Sequence, residues 1–209
     1  APGHGGEGAS PVAVRRPAPP PRQGNNLLAN GDFEAGLGGE VGSMGRAGGN
    51  NGWTYVFAGA STAYIFPESA YGIHPEWGPP VLHGGREALR THTDGRGHTL
   101  VHQSVPAEAG KKLAASAWVR AESLGGKGFG ADPGDSAALV IQELDRAGAV
   151  VASHPRREVR AACDYTRLEC AFTTSPKTAA VRYVLETVIA CRYDEGHVTY
   201  DDCVLEEQR

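Results

Sequence analysis

Short segments in which apolar and polar residues alternate recur along the chain from Asn26 onward. They are rich in Val, Thr and aromatic residues, and Gly, Pro, Asp or Asn separates them, which is the pattern of strands joined by turns. The predicted strands are 27–28, 53–58, 62–66, 87–92, 98–105, 112–121, 137–144, 149–153, 166–173, 179–191 and 198–205. No stretch keeps a helical period. The pattern therefore predicts an all-β chain, and many short strands at this spacing favour a two-sheet antiparallel sandwich.

The alternation also predicts which side chains point into the sandwich, because neighbouring residues of a strand lie on opposite faces of the sheet. In 112–121 one face is apolar and the other carries Ser116, Trp118 and Arg120. In 179–191 the core face carries Val181, Tyr183 and Leu185, whereas Arg182, Val184 and Glu186 lie on the other face. An outer sheet face that carries Trp, Arg and Glu side chains is a candidate shallow binding surface.

The first 25 residues differ from the rest in being rich in Pro and Gly. Such a segment buries too little apolar surface to fold alone, and its Pro run favours an extended spacer. We therefore predict an extended N-terminal arm over 1–25, before a domain over 26–209. Within the arm, Val12-Ala13-Val14 alternates like a short strand. Residues 11–16 are thus a candidate added strand for an identical neighbouring subunit.

Composition narrows the class of protein. The chain has 209 residues, of which 40% are hydrophobic and 21% are charged, as in globular proteins. The net charge of −4 is spread along the chain, so we expect no nucleic-acid partner. The longest apolar runs are far shorter than the roughly 20 residues of a membrane-spanning helix. The chain begins at Ala1 without Met, which indicates a processed product.

The four cysteines all lie in the last quarter of the chain, at Cys163, Cys170, Cys191 and Cys203. Their even number predicts two disulfides and an oxidising, extracellular or cell-surface location. Four buried free thiols are the alternative. Four cysteines allow three pairings, of which Cys163–Cys170 with Cys191–Cys203 is the most local.

Three stretches carry recognisable motifs. The first reads Asn-Leu-Leu-Ala-Asn-Gly-Asp-Phe-Glu-Ala-Gly over 26–36 and is followed by Gly52-Trp53. The second reads Leu-Val-His-Gln-Ser-Val-Pro over 100–106, with Ala-Gly-Lys-Lys-Leu over 109–113 and Ser-Ala-Trp-Val over 116–119. The third reads Val-Thr-Tyr-Asp-Asp-Cys-Val-Leu over 198–205. In this order, across 26–207, they resemble carbohydrate-binding modules of families four, nine and twenty-two.

The resemblance implies a galactose-binding-like jelly roll whose first and last strands lie close together. It also implies a structural calcium ion beside those strands. The matching positions are Glu34, Asp201 and Asp202. Calcium takes six to eight oxygen ligands, typically from carboxylates and backbone carbonyls, so the residue types suit the ion. The alternative is that these acids cap turns or face water.

The resemblance further implies glycan binding on aromatic platforms, because sugar C–H faces stack on aromatic rings and sugar hydroxyls need polar partners. The candidate ligand-binding residues are Trp118, Arg120, Gln142 and Glu186 on the binding sheet, and Tyr64, Tyr71 and Trp77 on the loops. Core packing is the competing explanation for Trp118. Trp77 is equally consistent with pinning its loop or with a subunit interface.

No enzyme signature is present: the sequence lacks a nucleophile elbow, a zinc-protease motif, a phosphate loop and a dinucleotide fingerprint. We therefore predict a non-catalytic, extracellular glycan-binding module. The alternative is a structural subunit of an extracellular filament or surface layer, joined through the arm.

Overall fold

The computed structural model describes residues 26–34, 48–50, 52–67, 82–122, 124, 134–190 and 195–208. Of residues 48–50, 60–67, 94 and 195 it describes the backbone alone. The strands are β1 (Gly48–Asn50), β2 (Trp53–Pro67), β3 (Glu87–Pro106), β4 (Lys112–Ala121), β5 (Ser136–Leu144), β6 (Val150–Ser153), β7 (Arg157–Val159), β8 (Cys163–Thr173), β9 (Ala180–Ile189) and β10 (Glu195–Glu207). In this part of the chain no helix is long and apolar enough to cross a bilayer. The arm over 1–25, with residues 11–16, lies outside the described residues.

The strand pairs form two antiparallel sheets packed as a jelly-roll sandwich, which confirms the predicted fold class. The first sheet has the order β5-β9-β3-β2-β1, and β6 and β7 both pair with the outer edge of β5. The second sheet has the order β8-β4-β10-β3-β2. The last strand, β10, therefore lies in the interior of a sheet, between β3 and β4.

The hairpin β2–β3 belongs to both sheets. The first half of β3, up to Asp94, pairs with β10, and the second half, from Gly97, pairs with β9. The β2–β3 register shifts between Gly59 and Ser61, which marks the bend between the two halves. Gly59 has a φ of 74°, and a Cβ there would lie 2.4 Å from the carbonyl oxygen of Arg96. The bend therefore requires glycine.

Most predicted strands are confirmed, with three corrections. The segment 27–28 is not a strand, because residues 28–32 form turns; single backbone bonds instead tie it to β10, from Leu27 N–H to the Leu205 carbonyl and from Cys203 N–H to the Gly31 carbonyl. Two strands were predicted as two segments each: β2 is continuous across 53–58 and 62–66, and β3 is continuous across 87–92 and 98–105. The short strands β1 and β7 are not predicted by the sequence pattern.

The core lies between the sheets, and the predicted parity of β4 and β9 is confirmed. Leu113, Ala115, Ala117 and Val119 of β4, and Val181, Tyr183 and Leu185 of β9, are all buried. Two phenols cross the core: Tyr183 donates to the Ser116 carbonyl and Tyr200 donates to the Glu186 carbonyl, each at 2.7 Å. Burial raises the pKa of both phenols well above 10. Both hydroxyls therefore stay protonated and keep the two sheets joined.

The predicted pair Cys163–Cys170 is wrong. Cys163 and Cys170 both lie on β8, seven residues apart, and both are free thiols. Seven residues of extended strand span roughly 23 Å, whereas bonded cysteines have Cα atoms about 4.4 to 6.8 Å apart. Cys203 is completely buried in the core, and Cys191 lies outside the described residues. Burial raises the pKa of the Cys170 thiol, so it behaves as a small apolar core side chain.

Candidate functional site

The outward face of the first sheet forms an open groove. Strand register places its side chains in two rows across the sheet: Glu186 of β9 stands opposite Leu100 of β3, and Val184 stands opposite His102. The groove has a volume of about 310 Å³. It is defined by its lining residues, which are Val56, Leu100, His102, Val140, Gln142, Arg182, Val184 and Glu186. All of them lie on the face opposite to the core.

The floor of the groove is aliphatic and its margin is polar. Val56 is 39% exposed, so it offers apolar surface to solvent. It stands beside Leu100, which in turn neighbours Glu186 on β9. An exposed apolar strip bordered by hydrogen-bonding groups is the usual composition of a binding site.

Glu186 lies at one end of the groove, where Arg156 compensates its charge and His98 forms a hydrogen bond with it. His98 Nε2 lies 2.7 Å from its Oε1, and Arg156 contacts its Oε2. Arg156 also bonds Ser136 Oγ at 2.7 Å and Glu158 at 2.5 Å. Burial lowers the pKa of His98, and Arg156 lowers it further. The imidazole is therefore neutral at neutral pH and donates an N–H to the Glu186 carboxylate.

Arg182 and His102 lie in the groove with unused hydrogen-bonding capacity. The Nε atom of Arg182 and the Nδ1 atom of His102 are buried and have no hydrogen-bond partner among the described residues. The one hydrogen bond of the Arg182 guanidinium in this part of the chain runs from Nη1 to Gln142 Oε1 and is long, at 3.5 Å. Burial lowers the pKa of His102, and the charge of Arg182 lowers it further. His102 is therefore a neutral imidazole beside a cation.

The structure divides the sequence-predicted ligand-binding residues between two sheets. Gln142 and Glu186 lie in the groove, whereas Trp118 and Arg120 lie on β4, in the second sheet. Trp118 stacks on His83, with ring centroids 4.1 Å apart. Arg120 contacts Glu122. The backbone of Tyr64 pairs with that of Arg90 in the part of β2 that belongs to the second sheet, and Tyr71 and Trp77 lie outside the described residues.

Several groove residues were not singled out from the sequence as ligand-binding. They are Val56, Leu100, His102, Val140, Arg182 and Val184. The parity of 179–191 already places Arg182, Val184 and Glu186 on one outward face. In the structure β3 and β5 flank β9. The alternation of apolar and polar residues does not predict this, because strand order depends on contacts between segments far apart in the sequence.

The three predicted calcium ligands converge on one bend of the chain, 83–87. Glu34 Oε1 accepts the N–H of Arg86 at 2.6 Å and that of Glu87 at 3.0 Å. Asp201 Oδ2 accepts the backbone N–H of His83 at 3.1 Å and that of Gly84 at 3.0 Å. Within the described ranges, no three His, Cys, Asp or Glu side chains form a group suited to a metal ion. A cation here would need backbone carbonyl oxygens to complete its coordination.

Asp201 carries a strongly perturbed carboxyl group. It is 1% exposed. Burial raises its pKa from the ordinary value of 3.8 to about 8, and the neighbouring Asp202 adds to the rise, although the backbone N–H groups of Gly84, Asp202 and His83 oppose it. When two adjacent carboxyl groups are ionised and one of them is buried, they repel each other and the buried one is poorly solvated. A bound cation relieves both penalties.

A larger cleft of about 850 Å³ lies on the second sheet, beside β8. Its charged side chains include Arg156, Arg167, Glu158 and Glu169. These are paired with one another: Arg156 lies 2.5 Å from Glu158, and Arg167 lies 3.4 Å from Glu169. Because these four charged side chains are already paired and the lining also includes small alanine side chains, the groove on the first sheet is the better candidate site.

The chain matches no protein-family model and no curated protein sequence. Solved structures match in fold, and most of them are carbohydrate-binding modules. TmCBM61, solved with β-1,4-galactotriose, has a TM-score of 0.55 and 14% identity over 88% of this chain and 99% of its own. The CBM22-1 xylan-binding domain from Paenibacillus barcinonensis has a TM-score of 0.51 and 15% identity over 90% and 97%.

The enzymatically active domain of bacteriophage CBA120 tailspike protein 4 has a TM-score of 0.60 and 11% identity over 88% of this chain. The chain spans about a fifth of the length of that domain, 21%. At these identities the comparisons establish a shared fold: the chain has the jelly roll of carbohydrate-binding modules, as the sequence motifs predicted.

Proposed function

We propose that the chain is a non-catalytic, extracellular module that binds a glycan chain in the groove of the first sheet. The observation that carries the proposal is the groove itself: an open channel on an outward sheet face, with an aliphatic floor and a hydrogen-bonding margin. The shared fold supports the proposal, since one of the similar structures was solved with β-1,4-galactotriose and another is a xylan-binding domain.

The chemistry of the groove suits a sugar chain. Val56, Leu100 and Val184 offer apolar surface to the C–H faces of pyranose rings. Gln142 and Glu186 offer the acceptors and donors that sugar hydroxyls require. Because the described floor is aliphatic, this binding mode differs from stacking on aromatic platforms.

The acidic side chains near the groove support a non-catalytic role. Glu186 is held by His98 and Arg156, so both of its carboxylate oxygens are already engaged by protein groups. Glu143, on the neighbouring strand, is 1% exposed and bonded to Ser175 at 2.6 Å. A glycosidase needs two carboxyl groups that both reach the scissile bond, and a buried Glu143 does not.

Removing one floor and one margin contact should weaken binding. The double variant Leu100→Ala, Gln142→Ala removes an aliphatic side chain and an amide, and we expect about a tenfold or greater loss of affinity. Affinity electrophoresis against soluble galactans, xylans, glucans and uronate polysaccharides identifies a ligand, and calorimetry then measures the loss.

Trp118→Ala is the matched control, because it removes a larger side chain from the other sheet. It should leave the affinity unchanged. Loss of binding in Trp118→Ala with retention in the double variant would place the site on the second sheet and refute the groove, and binding to none of the polysaccharides would refute the function.

The calcium ion is a separate proposal, supported by the convergence of Glu34, Asp201 and Asp202 on the 83–87 bend. In a chelator, the raised pKa of Asp201 means that the folded state binds more protons than the unfolded state between about pH 4 and pH 8. Stability should therefore fall as pH rises through this window. Added Ca²⁺ should raise the melting temperature more at pH 8 than at pH 5, because protons compete for the carboxylate.

Scanning calorimetry at several pH values, with and without Ca²⁺, measures both effects. Asp201→Asn should remove the pH-dependent slope and the response to Ca²⁺ together. If stability depends on pH as expected but does not respond to Ca²⁺, the raised pKa of Asp201 is supported and the calcium ion is rejected.

A further inference from the structure

The charges of the groove do not balance. At one end, Glu186 is matched by Arg156 and by a hydrogen bond to His98. At the other end, Arg182 forms no ion pair with any carboxylate in the described part of the chain, and its one hydrogen bond there is the 3.5 Å contact with Gln142. Among the residues that the structure describes, no carboxylate compensates the Arg182 guanidinium of the groove.

Arg182 and His102 lie close enough to act on one ligand group. Arg182 stands directly opposite Ser104 on β3, and His102 lies two residues from Ser104 on the same face. Diagonal neighbours of this kind are roughly 7 to 8 Å apart along the backbone, within the reach of long side chains. The effect of Arg182 on the pKa of His102 is consistent with this proximity.

Both residues hold a polar nitrogen that no described protein group satisfies. Arg182 Nε and His102 Nδ1 are buried without a hydrogen-bond partner among the residues that the structure describes. A buried donor without an acceptor destabilises the folded state, because it has lost its hydrogen bond to water. If an acceptor were present in the groove, a small rotation of the guanidinium toward it would form the missing hydrogen bond and remove this destabilisation. A sugar hydroxyl would supply the hydrogen bond but would leave the charge uncompensated.

We propose that the groove binds an acidic glycan, with a uronic acid carboxylate seated against Arg182 and His102. This inference rests on the proposed function and specifies its ligand class. A planar carboxylate matches the donor edge of a guanidinium and forms charge-assisted hydrogen bonds with it. The neighbouring aliphatic residues Val140 and Val184 then contact the sugar ring that carries the carboxylate.

The test compares uronate polysaccharides with their carboxyl-reduced forms, in which each uronic acid has become the neutral sugar. Polygalacturonate, glucuronoxylan and alginate are the probes, and affinity electrophoresis followed by calorimetry gives the dissociation constants. The wild-type chain should bind at least one acidic form about tenfold or more tightly than its reduced form. Raising the salt concentration should weaken the acidic complex only.

Arg182→Gln should abolish the preference for the acidic form, and Arg182→Lys should restore part of it, because the charge returns without the planar fork. Arg167→Gln is the control: it removes the same charge from a side chain that is 52% exposed on the second sheet, and it should keep the preference.

Two results would overturn the inference: equal or tighter binding of the reduced forms, or an equal loss for acidic and reduced forms in Arg182→Gln. In each of these cases the glycan-binding function stands. Binding to no acidic, reduced or neutral chain would reject both proposals.

Discussion

Replacing Trp53 with alanine is expected to lower the free energy of unfolding by about 3–5 kcal/mol. The side chain is 1% exposed, and its ring lies 5.4 Å from that of Phe33 and 6.0 Å from that of Tyr183. Its Nε1–H also donates to the Asn30 carbonyl at 3.0 Å. The substitution therefore removes core volume and one of the contacts that hold the turn segment 26–34 against the sandwich.

Trp118→Ala is the control for this substitution as well. Trp118 stacks on His83 outside the core, so its loss should cost no more than about 1.5 kcal/mol. Urea unfolding followed by far-ultraviolet circular dichroism measures both variants without relying on tryptophan fluorescence. Equal losses would contradict the assignment of Trp53 to the core and Trp118 to the outer face.

Glu143→Gln should lower the free energy of unfolding by about 3 kcal/mol. The carboxylate accepts the N–H of Ser175 at 2.6 Å, the hydroxyl hydrogen of Thr178, and an N–H of His154 at 2.7 Å. A glutamine would turn an NH₂ group toward these donors, and buried donors would lose their acceptor. The loop after β8 would then be held less firmly against β5.

The same carboxylate should make the protein sensitive to acid. Burial raises the pKa of Glu143, but the hydrogen bonds from Thr178, Ser175 and His154 outweigh burial and leave the pKa below its ordinary value of 4.5. Its contribution to stability is present above about pH 4.5 and is lost as pH falls through the folded-state pKa. Melting temperatures from pH 3 to pH 7 measure the loss, which should be smaller in Glu143→Gln than in the wild type.

Glu169→Gln serves as the matched control, because Glu169 is 68% exposed on β8. It should shift the melting temperature by little at any pH. A comparable shift in the two variants would show that general surface charge, and not the buried carboxylate, governs acid stability.

The sequence predicted strands and their inward faces well, because alternation is a local property of the chain. The parity of β4 separated Leu113 from Trp118 correctly, and that of β9 separated Tyr183 from Arg182. The segment 27–28 was mistaken for a strand because two adjacent leucines look the same in a strand and in a buried turn. Only Leu28 of the two is buried, beneath the turn.

The candidate site was only half predictable, because it depends on which strands become neighbours. Gln142 and Glu186 were correctly placed on outward faces, but Trp118 was grouped with them although β4 pairs with β8 and β10. From the sequence alone, nothing distinguished Arg182 from other arginines on strands. Its significance comes from its lack of a carboxylate partner beside His102 in the described part of the chain, which becomes visible only when β3 and β9 are adjacent.

The position of β10 between β3 and β4 dictates when the domain becomes complete during synthesis. Until residues 195–207 leave the ribosome, the facing edges of β3 and β4 have no strand to pair with, and Asn26 lacks the Cys203 and Leu205 backbone groups that it bonds. Contacts so distant in sequence carry a high entropic cost of closure and form slowly. The nascent chain therefore exposes unpaired strand edges until β10 inserts, and the sandwich closes only after all ten of the strands that the structure describes have been synthesised.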